Sequence, residues 1–184
     1  AYVLGSSGGA VIGLALAERH PELVQTLVAH EPPLLELLPE GDERRTGNQE
    51  IYDTYLNEGA GPAMEKFMAA AGMDEPAPGE MSLEEQEAMA QELARLQQNF
   101  DFFFAHYLMP ITSYVPDVAA LQAASPRVVV GVGEDSVCQE AYETATALAE
   151  RQGRPAVSFP GDHVGMFTFP EEFTQKLHEV FQAR

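Results

Sequence analysis

Cationic residues are scarce in this chain: 10 Lys and Arg stand against 29 Asp and Glu, giving a formal net charge of -19. Such a surface repels phosphate backbones and anionic headgroups, which argues against nucleic acid or a membrane as partner. Cysteine is reduced to Cys138, so neither an internal disulfide nor a thiolate metal framework can form. The histidines and carboxylates show no compact ligand spacing such as H-E-x-x-H, and neither a metal nor a cofactor is expected. No apolar run approaches the roughly 18 residues of a membrane span, and no signal-peptide pattern is visible. A cytoplasmic home is the expectation.

What remains is ample for a core. At 184 residues and 45% hydrophobic, the chain suits one domain. Tyr2–Leu4 reads as a buried strand, Gly8 to His20 as a helix, and Leu23–Ala29 as a second strand, a βαβ unit that implies a parallel sheet. Residues 33–124 read as an acidic, all-helical insertion, with helices near Asn48–Asn57, Pro62–Ala71, Ser82–Phe104 and Asp117–Gln122. Pro76-Ala-Pro78-Gly79 breaks it, and Ser82-Leu-Glu-Glu85 has the form of a capping box. Arg127–Val132 ("RVVVGV") is a β-branched strand, Glu140–Gly153 an amphipathic helix, Ala156–Phe159 a strand and Pro170–Phe181 a closing helix. Residues 1–32 and 125–184 thus form a core of α/β class with a parallel sheet, interrupted by the insertion.

The stretch "YVLGSSGGAVIG" (2–13) joins the first strand to its helix. As a nucleotide loop it fits poorly. Gly5 is followed two residues later by Ser7, so G-x-G-x-x-G is nowhere satisfied, and the absence of a Lys after the loop excludes a P-loop. The other parse, G-x-S-x-G over Gly5 to Gly9, sets Ser7 as a nucleophile on a strained strand-to-helix turn. There the helix N-terminus offers N–H groups to an oxyanion. A serine hydroxyl needs a base, and the base an orienting acid. Val132-Gly-Glu-Asp-Ser136 leaves one strand end with Glu134 and Asp135, and Gly161-Asp-His-Val-Gly165 leaves the next with His163. These are the carboxyl ends where ligands collect in parallel sheets.

With "LVAHEPPL" and "NFDFFFAHYLMPITSYVPDVAAL", these segments resemble the α/β-hydrolase family with a helical cap, in its actinobacterial-type members, over essentially the whole length. The resemblance implies a partial α/β-hydrolase fold beginning at the nucleophile strand, with the insertion as cap. It implies Ser7 as nucleophile, the Gly8 N–H as oxyanion donor, His163 as base and Asp135 as acid. Glu134 is the neighbouring alternative, and Glu31 in "AHEPP" another, because some members place the acid there. Asp162 reads as a turn former. Phe103, Phe104 and Tyr107 either build the core of the insertion or line an acyl pocket.

The activity implied is hydrolysis of a small to medium apolar ester, with a small-molecule acyl compound as substrate; the rival is a non-catalytic relative that binds a ligand or partner. The chain enters a strand almost at Ala1, so sequence carrying a second oxyanion donor is expected upstream. The 184 residues alone are then expected to be poorly active and to self-associate through an open sheet edge.

Overall fold

The computed structural model describes residues 1–71, 99–123 and 126–183. The expected proline break at 76–79 and the capping box at 82–85 lie outside them. The described residues divide into two compact units, Ala1–Asp42 with Ile111–Arg184, and Glu43–Pro110.

The first unit is built on a four-stranded sheet in the order β1-β2-β3-β4, every pair parallel. The strands are β1 (Tyr2–Ser6), β2 (Thr26–His30), β3 (Arg127–Gly133) and β4 (Val157–Phe159). Alternation along β2 and β3 sends side chains to opposite faces. Leu27, Ala29, Val128, Val130 and Val132 pack against Ala10, Val11, Leu14 and Ala17 of α1 (Gly8–Arg19) and Ala145, Leu148 and Ala149 of a later helix (Glu140–Arg151). On the other face Val28 and Phe159 meet Phe173 and Val180 of the last helix (Pro170–Gln182). Helices on both faces of a parallel sheet make an α/β architecture. Close helix–sheet approach falls at Gly13, where an added Cβ would lie 2.7 Å from Leu27 Cδ1.

Two expectations are corrected. β1 is not buried along its length: Tyr2 is 52% and Leu4 36% exposed, because β1 has a single strand neighbour among the described residues. The sheet unit also reaches further than residues 1–32 and 125–184, to Asp42 and back to Ile111. Leu34, Leu37 and Leu121, all within the expected insertion, are buried in the sheet's core, so their apolar surface holds them there.

The second unit holds α2 (Glu43–Glu58), α3 (Ala60–Ala70) and a π-helical turn at Phe103–Tyr107. Its core is Ile51, Ala63, Phe104 and Leu108. Phe104 stacks on Tyr55 and meets Phe67 edge-on.

Candidate active site

Ser7 sits between β1 and α1 with φ 55 and ψ -128. Such backbone costs a non-glycine residue about 1–3 kcal/mol, and strain of this kind concentrates at functional sites. Gly5 makes the turn possible, since a Cβ there would fall 2.4 Å from the Gly9 carbonyl oxygen. Gly9 has no such duty: among the described residues a Cβ on it would meet nothing within 4 Å. The Ser7 side chain makes no capping bond to α1, which leaves its hydroxyl available. Gly8 follows as the first residue of α1, and its N–H belongs to the first-turn amides that have no partner within a helix.

His163 lies in the loop after β4, with its side chain 17% exposed. Its Nδ1 is 2.7 Å from Oε2 of Glu31, the residue that follows β2. Glu31 is fully buried and itself occupies the left-handed region at φ 46. Its other oxygen, Oε1, accepts the Gly133 N–H at 2.8 Å. Burial pushes the Glu31 carboxyl up. The bonds to His163 and Gly133, the adjacent Ser136 hydroxyl and the nearby His30 outweigh burial and hold it below the usual carboxylate range. Ser136 Oγ is buried beside that carboxylate without meeting hydrogen-bond geometry.

The carboxylate facing His163 is therefore Glu31, which the resemblance offered only as an alternative beside Glu134, with Asp135 as the implied acid. Glu134 and Asp135 are both exposed. Their main chains are tied down by the Glu134 N–H to the Phe159 carbonyl at 2.9 Å and the Asp135 N–H to the Gly161 carbonyl at 3.0 Å. That loop turns Ser136 inward and the two carboxylates outward. Asp162 Oδ1 accepts the Val164 N–H at 3.0 Å, an Asx turn that shapes the loop carrying His163.

Ser7 reaches this pair through the main chain. Its N–H donates to the carbonyl of His30 at 2.9 Å, one residue before Glu31. Among the described residues the Ser7 hydroxyl has no direct bond to His163.

His30 lies one residue past the strand expected at Leu23–Ala29; it is the last residue of β2 and fully buried. Burial, reinforced by the His163 ring and opposed by Glu31, drives its pKa down to about 4, so it is neutral at physiological pH. Its signal lay in alternation: Thr26, Val28 and His30 share one strand face. Of the three aromatic pocket candidates, Phe104 is 1% exposed and fully engaged within the helical unit, so it builds core. Phe103 packs on Phe67, Phe104 and Tyr107 in the same unit. Among the described residues no group of His, Cys, Asp and Glu is arranged to hold a metal ion.

No family model matches the chain. It is 35% identical over 187 residues to the "Uncharacterized hydrolase YraK" of Bacillus subtilis (strain 168), a match that covers 99% of this chain and 64% of that protein. Among the solved structures that share its fold are these two. One is MGS-M2, an alpha/beta hydrolase enzyme from a Medee basin deep-sea metagenome library, at TM-score 0.59 and 14% identity over 100% of this chain and 66% of that one. The other is the enol-lactonase from Burkholderia xenovorans LB400, at TM-score 0.59 and 14% identity over 98% and 65%. The chain thus spans slightly less than two thirds of each of these three proteins.

Proposed function

Starting from a chain that belongs to the α/β-hydrolase fold family, we propose that it is a serine hydrolase cleaving a small to medium, largely apolar ester through an acyl-enzyme. Ser7 is the nucleophile, His163 the base and Glu31 the acid. The observation that carries this reading is the 2.7 Å contact between His163 Nδ1 and a fully buried carboxylate. With Nδ1 engaged by Glu31, Nε2 is the nitrogen left to take the Ser7 proton as Oγ attacks the substrate carbonyl. The buried charge of Glu31 fixes that tautomer and stabilises the imidazolium that forms.

Charge developing on the carbonyl oxygen meets the Gly8 N–H and the positive end of α1. The imidazolium then protonates the leaving alcohol. Water deprotonated by His163 hydrolyses the acyl-enzyme and regenerates Ser7. Strong negative surface charge disfavours anionic acyl compounds, and a cyclic ester of the kind named for the enol-lactonase belongs in the substrate panel beside open-chain esters.

The test is turnover of p-nitrophenyl esters of graded chain length, with fluorophosphonate labelling mapped by peptide mass. Wild type is labelled on Ser7, and Ser7→Ala loses both labelling and turnover while keeping its circular dichroism. Labelling that persists in Ser7→Ala refutes the assignment.

A further inference from the structure

His30 touches both halves of this arrangement. The parallel register sets it opposite Ser6, and its Nδ1 lies 3.0 Å from Ser6 Oγ, the side chain immediately before the nucleophile. Its carbonyl accepts the Ser7 N–H at 2.9 Å. Its ring stands nearly perpendicular to Phe159 and Phe173 and 6.4 Å from the His163 ring, close to parallel with it. Gly131 on the neighbouring strand leaves the space: a Cβ there would come within 2.9 Å of the Phe159 ring and 3.4 Å of His30 Cδ2.

An imidazole is a costly choice for that pocket. Among the described residues Nε2 is buried without a partner, a loss that a phenyl or isobutyl group would not incur. Shape alone would be served by an apolar ring among Val28, Phe159 and Phe173. What only a polar ring adds is the bond to Ser6. A bond between strand ends also acts where the backbone at Ser7 and Glu31 is strained, and strained conformations persist only when their surroundings over-determine them.

We propose that His30 is a positioning residue: its side-chain bond to Ser6 and main-chain bond to Ser7 tie the nucleophile turn to the strand end that carries Glu31, so that serine and the His163–Glu31 pair keep one geometry. The proposal rests on the serine-hydrolase reading for its consequence in rate. It explains why Ser6, the free position of the G-x-S-x-G motif, is a hydroxyl residue here.

The test uses the full 184-residue chain with Ser6→Ala, His30→Phe, their combination, and His30→Asn, whose amide can sit where Nδ1 does. Ser6→Ala and His30→Phe each lower kcat on a p-nitrophenyl ester about 10- to 100-fold with KM within about twofold, as expected when a nucleophile is misplaced rather than binding lost. The double variant is no worse than the poorer single one, because both delete the same bond, and His30→Asn recovers most of the rate. Without substrate, hydrogen exchange at the Ser7 amide quickens about tenfold or more in the first two variants, while exchange at the Gly133 amide does not change. Additive losses, a rise in KM at constant kcat, or unchanged Ser7 exchange overturns the proposal. If wild type neither turns over ester nor is labelled on Ser7 by the fluorophosphonate, the serine-hydrolase reading fails and the exchange measurement alone decides the positioning role. Should His30→Phe not fold, Ser6→Ala, which removes a half-buried hydroxyl, decides between these outcomes by itself.

Discussion

The ends of β2 and β3 lie side by side and both carry acid, yet they treat it in opposite ways. After β2, Glu31 is swallowed whole, strained at φ 46 and bonded through both oxygens. After β3, Glu134 and Asp135 face solvent and only their main chains are held. The β3 end still serves the β2 acid, through the Gly133 N–H and the inward hydroxyl of Ser136. What separates the two is placement rather than chemistry: a carboxylate can orient an imidazole only where water is excluded and both lone-pair sets are occupied. The largest expected effect tests that contrast directly. Glu31→Gln is isosteric and deletes the charge, and it is expected to lower kcat by about 10³- to 10⁴-fold. Asp135→Asn stays within about twofold. Steady-state kinetics on one p-nitrophenyl ester measures both, and a collapse in Asp135→Asn with Glu31→Gln near wild type would reverse the assignment of the acid.

Much of the sheet unit is legible in the sequence. The β-branched run "RVVVGV" forms β3, and the glycine turn lies between a strand and a helix, because hydrophobic patterning and turn chemistry are local properties. The acid is not legible in the same way. Glu31 stands among three candidates, and sequence does not rank it above Asp135. The choice depends on which way a strand-end residue points after a single left-handed step at φ 46 and on a loop that turns Ser136, not Asp135, inward. His30 hides for a related reason. A lone histidine just ahead of a proline pair looks like loop, and only the pairing register sets it opposite Ser6. The boundary of the helical unit is blurred because Leu34, Leu37 and Leu121 look equally apolar whichever core they join.

Gly133 sharpens the comparison at the next level of effect. A Cβ there would fall 2.6 Å from the Gly161 carbonyl oxygen and 2.7 Å from Ser136 Oγ, so neither neighbour can give way without moving the loop of His163 or the support of Glu31. Gly133→Ala is expected to cost about 1–3 kcal/mol of stability from overpacking and a further loss in kcat as Glu31 shifts. Gly9→Ala, with open space around its Cβ position, is neutral or slightly stabilising in a helix. Urea unfolding of the two variants separates them; equal destabilisation would mean that the β3 end does not brace the acid through its backbone.

The last effect is graded with pH and follows from the neutral ring beside the acid. In the fold His30 titrates at about 4 against an ordinary 6.5. Between those values the unfolded chain binds a proton that the folded chain refuses, so folding stability rises with pH across that window and is lost as pH falls through it. A shift of this size corresponds to about 3 kcal/mol at most, reached as the pH approaches 4. Glu31 works in a lower window. Its folded pKa is below the ordinary 4.5, so its contribution is complete above that value and disappears only as pH drops through the depressed one. Urea midpoints between pH 7 and 4 are therefore expected to fall steadily in wild type. His30→Phe is expected to flatten that slope above about pH 4.5, and Asp135→Asn to leave it intact. A slope that survives His30→Phe would assign the acid sensitivity to some other group and remove the buried imidazole from the contrast between the two strand ends.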